Sequence, residues 1–66
     1  MTLKQLRIEK KLKQIELAEI IGVNQSIISQ YENGIFEPNV KMIIELSKVF
    51  DVPIETVARA ILSSKK

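Results

Sequence analysis

Only three residues, Gly22-Val23-Asn24, separate two stretches of this chain whose apolar residues recur at helical spacing. In the first, Gln14 to Ile21, the residues Leu17, Ala18 and Ile21 share a face, and Gly22 stands where a helix end needs left-handed backbone. In the second, Asn24 is suited to accept from the free N–H groups of a new first turn. Ile28 and Tyr31 then form a narrow apolar stripe that ends at Asn33-Gly34. Helices joined by so short a link must cross at a steep angle, and the glycine permits the corner.

The flanking segments read as further helices. Thr2 and Gln5 have the form of a capping box, so helix 1 begins there and is expected to run to about Lys11. Leu3 and Leu6 supply its apolar stripe, Arg7 lies on the side of Leu3, and no glycine marks its end. Ile35 to Pro38 reads as a loop. Asn39 caps helix 4, whose Val40, Ile43, Leu46, Ser47 and Phe50 repeat at three and four residues, with Phe50 as the core anchor. After Asp51-Val52, Pro53 pre-sets the first turn of helix 5, to which Ile54, Val57, Ala58 and Ile61 give a face. Residues 63–66 are expected to fray. No segment alternates with period two, and no repeat or Ser- or Gly-rich linker divides the chain. The fold class is therefore all-α, five short helices in one domain spanning residues 1–66.

The chain has 66 residues, and a domain of that size hides only ~60% of the surface its unfolded form exposes. With no Cys and no His, it has no disulfide, no thiolate metal site, and neither the commonest remaining metal ligand nor the commonest general base. No cofactor is implied, and the core must suffice. Glu16 and Glu19 could be imagined as a catalytic carboxylate pair, yet they lie on an exposed helix without a cleft, and there is no glycine-rich phosphate loop. The expectation is that this is not an enzyme. Apolar runs are far too short for a bilayer and the N-terminus lacks a signal-peptide core, which points to the cytoplasm and away from a membrane. Met1 and the short basic tail are what a complete chain would carry.

Net charge is only +2, but it is unevenly placed. Met1 to Lys13 carries five basic residues against Glu9 alone, Gln14 to Ser64 three against seven acids, and the tail ends in Lys65 and Lys66. A basic cluster taken alone is usually a solvated face, so its position must decide its meaning.

The run from Lys13 to Gly34 holds Gln14-x-x-Leu17-Ala18, Gly22 before the turn, and Ile28-Ser29-x-x-Glu32-Asn33-Gly34, with Pro38 following. It resembles the phage repressor and Cro type of helix-turn-helix domain, the xenobiotic response element family. The resemblance continues through Glu37-Pro38 and Leu46 to Pro53 into helix 5, and so covers nearly the whole chain. It implies a lambda-repressor-like five-helix bundle in which helices 2 and 3 form the helix-turn-helix. The implied function is sequence-specific binding of double-stranded DNA, with helix 3, about Gln25 to Asn33, in the major groove. It further implies a bacterial or phage-encoded transcriptional regulator at the nucleoid. Such a protein is most often a repressor, dimeric on a palindromic operator. An activator, or an antitoxin-like interaction module with secondary DNA binding, are the alternatives.

The residues themselves point the same way. Setting Ile28 at the centre of the buried face turns Ser26, Ser29 and Gln30 outward, and Gln25 sits at the helix end that is inserted first. A glutamine amide can pair bidentately with adenine, and a serine hydroxyl serves several bases, so Gln25, Ser26 and Gln30 are the lead base readers, with Ser29 beside them. The resemblance assigns base contact to these positions. Ile27, read as exposed on the same side, suits either a thymine methyl or peripheral packing. Gln14 and Asn24 lie at helix N-termini, where an anion is favoured, and the resemblance places Gln14 and Asn33 at the DNA backbone. Asn24 and Asn33 also have ordinary capping uses.

The resemblance further implies that Lys10, Lys11, Lys13 and Lys41 flank the phosphates, that Arg7 and Glu32 form a buried ion pair, and that helix 5 makes the dimer contact. For the last, Ile54, Val57, Ile61 and Leu62 are the candidates, intramolecular core being the alternative for each. Acids such as Glu16 and Glu19 would meet RNA polymerase if the protein activates. One departure from the family stands out: the loop that is often basic in relatives reads Ile35-Phe36-Glu37 and places an acid near the DNA backbone.

Overall fold

The computed structural model describes residues 1–65, and among these it has five helices and no strand. They are α1 (Leu3–Glu9), α2 (Gln14–Ile21), α3 (Gln25–Glu32), α4 (Val40–Phe50) and α5 (Ile54–Ser64). Their starts follow from local chemistry. The Thr2 hydroxyl accepts from the Gln5 N–H while the Gln5 carboxamide accepts from the Thr2 N–H, so two donors of α1 are satisfied reciprocally. Asn24 and Asn39 cap α3 and α4 by accepting from the N–H groups of Ile27 and Met42, each at 2.9 Å. At α2 the Glu16 carboxylate reaches back to the Lys13 N–H.

The first four helices end alike. The chain turns left-handed at Lys11, Gly22, Gly34 and Asp51, and the next residue's N–H returns to the carbonyl five positions before it, Leu12 to Arg7, Val23 to Ala18, Ile35 to Gln30 and Val52 to Ser47. Only two of these turns carry glycine. Consequently α1 stops at Glu9, and Lys10 and Lys11 form the turn instead of extending the helix as the sequence reading had it.

Every helix contributes to one core. Ile28, Leu46, Phe50 and Val57 are fully buried at its centre, surrounded by Leu3, Leu6, Leu17, Ala18, Ile21, Tyr31, Ala60 and Ile61. Each large side chain so placed favours folding by roughly 1.5–3 kcal/mol before entropy is counted. Two stripes differ from their sequence reading. Val40 is exposed in the first turn of α4, so the buried ridge of that helix starts later. On α5 the buried side is Val57, Ala60, Ile61 and Ser64, a set rotated away from Ile54, which is exposed.

The end of α5 also differs from the fraying expected at residues 63–66. The helix continues through Ser64, whose hydroxyl is buried, accepts from the Leu3 N–H at 3.3 Å and donates to the Ala60 carbonyl at 2.8 Å. A free N–H at the start of α1 thus finds its partner 61 residues away. Lys66 lies outside the described residues.

Candidate nucleic-acid interface

A chain of polar contacts fixes α3 to the rest of the bundle. Arg7 is buried and donates through Nε to Glu32 Oε2 at 2.6 Å, through its second terminal nitrogen to Glu32 Oε1 at 3.2 Å, and through the first to the Leu12 carbonyl at 2.8 Å. Glu32 Oε1 also accepts from Gln14 Nε2 at 3.1 Å, and Gln14 Oε1 accepts from Gln25 Nε2 at 3.4 Å. The polarity of this relay has one solution. A carboxylate only accepts, so Gln14 must turn its NH₂ to Glu32 and its oxygen to Gln25. Gln25 must then offer its own NH₂ inward, which leaves its carbonyl oxygen and second N–H facing solvent.

The exposed side of α3 begins with Gln25 and Ser26. Gln30 is half-buried and donates to the Ser26 hydroxyl at 3.3 Å, while half-buried Ser29 accepts from the Asn33 amide through its carbonyl at 2.8 Å and its hydroxyl at 3.3 Å. Gln25, Ser26 and Gln30 are therefore brought to one surface, and Ser29 is turned toward the end of the helix. Ile27, read as exposed and suited to either a thymine methyl or peripheral packing, is half-buried and packs against the core, as the second alternative has it. One helical step, about 100°, from Ile28 puts its aliphatic arm on the core's edge, where burial outweighs exposure.

Among the residues assigned to phosphate, Lys10, Lys11, Lys13 and Lys41 are exposed, and no ion pair among the described residues occupies them. Gln14 is half-buried within the relay, Asn24 commits its side-chain oxygen to the capping bond, and Asn33 holds Ser29. Of the four residues assigned to a dimer contact, Val57 and Ile61 are core, since they sit on the side of α5 that meets the other helices. Ile54 and Leu62 are exposed. Glu16 is engaged with the Lys13 N–H, and Glu19 is exposed.

The loop after α3 shows what sequence reasoning missed. Phe36 stacks parallel on Tyr31 at 6.2 Å between ring centres, and burial raises the Tyr31 phenol above its ordinary pKa. Glu37 forms an ion pair with Lys65, and Gly34 lies against the Ser64 carbonyl and the Lys65 backbone. No local signal could have found the last two contacts, because Ser64 and Lys65 come from the far end of the chain.

Comparison with known proteins places the chain in a family. The helix-turn-helix family profile matches residues 3–57. YqaE of Bacillus subtilis (strain 168), an uncharacterised HTH-type transcriptional regulator, is 36% identical over 53 residues, which cover 80% of this chain and 46% of that protein. RstR of Vibrio cholerae, a cryptic phage CTXphi transcriptional repressor, is 36% identical over 52 residues, covering 79% of this chain and 47% of the relative. The chain spans about half the length of these relatives. By sequence and by its five-helix architecture, the chain belongs to the Cro/C1-type helix-turn-helix family of DNA-binding transcription regulators.

Proposed function

We propose that this chain binds double-stranded DNA sequence-specifically with α3 in the major groove, and acts as a transcriptional repressor in the cytoplasm, dimeric on a palindromic operator. The observation that carries this reading is the exposed start of α3, where Gln25 presents an amide whose polarity the Arg7-Glu32-Gln14 relay dictates. An outward oxygen beside an outward N–H matches adenine, which offers N6–H and N7, and mismatches guanine, whose O6 and N7 both accept. Ser26 and Gln30 extend the reading surface.

With the Gln25 end inserted among the base edges, α3, roughly 12 Å long and so about as long as the major groove is wide, carries its other end out toward a phosphate wall. Lys10, Lys11, Lys13 and Lys41, with Gln14, Asn24 and Asn33 beside the helix ends, are the phosphate partners in this docking. Repression is supported by the similarity to RstR, itself named a repressor. The dimer contact is assigned to the ridge of α5 that runs from Ile54 past Ala58 to Leu62, at i, i+4 and i+8, both ends of which are exposed. An Ile54→Glu variant should sediment as a monomer, and persistence of a dimer removes that contact.

In vitro selection from a random duplex pool tests the whole reading. Wild type should enrich two half-sites about one helical turn apart, each with an adenine that becomes unconstrained in Gln25→Ala. Failure to enrich any sequence overturns it.

A further inference from the structure

We propose that Lys65, at the end of α5, is a phosphate-binding residue of the DNA interface, held beside the loop after α3 by Glu37. The inference rests on the placement of α3 in the groove. If α3 crosses the groove, the chain that leaves it through Asn33 and Gly34 emerges at a phosphate wall. That segment, Ile35-Phe36-Glu37, offers a polyanion no cation of its own and one repelling acid.

The structure supplies the missing charge from elsewhere. Ser64 is buried and bonded to both Leu3 and Ala60, which anchors the last turn of α5. Gly34 approaches the Ser64 carbonyl and the Lys65 Cα so closely that a Cβ there would lie 2.5 and 2.7 Å from them. Lys65 is thus carried to the loop by backbone packing, and its ammonium meets the Glu37 carboxylate. Both side chains remain about half exposed, at 47% and 56%. An ion pair so exposed contributes little to stability, so stability alone does not account for it. An ammonium has three donors, and one carboxylate leaves donors over for a phosphate oxygen. Glu37 therefore orients the cation that cancels its own repulsion.

The test uses the full chain and a fluorescent random-sequence duplex, titrated by anisotropy between about 50 and 200 mM salt. Lys65→Ala should weaken binding several-fold and reduce the steepness of the log-log salt dependence by about 0.9, the value of one phosphate contact. Lys65→Arg should restore the steepness. Glu37→Gln should tighten binding, since the repulsion goes and the cation stays. All three should melt as wild type does, because the pair lies at the surface. A Lys65→Ala protein whose salt dependence equals that of wild type overturns this assignment and leaves the pair as a strap on the loop. A wild type with no salt-sensitive binding to the duplex instead overturns the DNA-binding reading itself.

Discussion

At the start of α3 a Cβ added to Gly22 would meet no atom within 4 Å, whereas at its close one added to Gly34 would lie 2.5 Å from the Ser64 carbonyl oxygen. Both glycines hold left-handed backbone, with φ of 78° and 71°. The same residue type thus answers two demands. At Gly22 the demand is conformational and local; at Gly34 it is conformational and steric, and the steric part comes from α5. The rest of the surroundings follow the same division. The start of α3 is held by its own Asn24 cap and by Gln14 of the preceding helix, while its close is held by Arg7 from α1 and by the end of α5. The exposed end rests on local scaffolding, and the opposite end is tied to the fold as a whole.

The sharpest way to break this contrast is to cut a tie at the far end. Arg7→Ala leaves the Glu32 carboxylate buried with Gln14 as its remaining partner, and loss of one member of such a pair costs about 3–5 kcal/mol. Small domains stand near the lower edge of the usual ~5–15 kcal/mol, so thermal or urea unfolding should show most of the stability gone. Adding Glu32→Gln to that variant should restore part of it, because an unpaired amide is cheaper to bury than an unpaired carboxylate. Gln25→Ala, at the near end, should melt as wild type does. If Arg7→Ala and Gln25→Ala melt alike, the two ends are not held differently.

Alanine at the two glycines probes the same division more finely. Gly22→Ala faces only the left-handed backbone and should cost about 1–2 kcal/mol. Gly34→Ala faces that strain and the overlap with Ser64, which adds about 1–3 kcal/mol unless the last turn of α5 lifts away. Lifting would itself be visible as faster hydrogen exchange at the Leu3 N–H, whose partner is Ser64. Equal unfolding free energies for the two variants would erase the distinction.

This division also explains what the sequence made legible. The Gly22 corner, the Asn24 and Asn39 caps, the Thr2-Gln5 box and the bounds of α2 each depend on residues within a few positions, and all could be read directly. The Arg7-Glu32 pair is long-range and was reachable only through the family resemblance. Features set by distant packing were hidden. The buried side of α5 is fixed by which residues the other helices leave room for, so Ala60 and Ser64 join the expected Val57 and Ile61 inside while Ile54 stays out. Ile27 turned inward for the same reason, and Glu37 acquired a partner that only the folded chain brings near.

Lys11 and Asp51 extend the comparison to turns that carry no glycine. They hold φ of 57° and 54° and close their helices with the same backbone bonds as Gly22 and Gly34, so nothing in the geometry requires a side chain there. Glycine would relieve about 1–2 kcal/mol of left-handed strain at the cost of about 0.5–1 kcal/mol in unfolded-state entropy. Lys11→Gly and Asp51→Gly should therefore each stabilise the fold by about 0.5 kcal/mol, a rise of roughly 2–4 °C in melting temperature. Their effects on DNA should part company. Lys11→Gly removes a cation from the exposed basic cluster and, on the proposed docking, should flatten the salt dependence of duplex binding by about 0.9. Asp51→Gly removes an acid at the far end of α4 and should not. If Lys11→Gly leaves the salt dependence intact, the residue is only a strained turn, and the basic cluster does not extend to the end of α1.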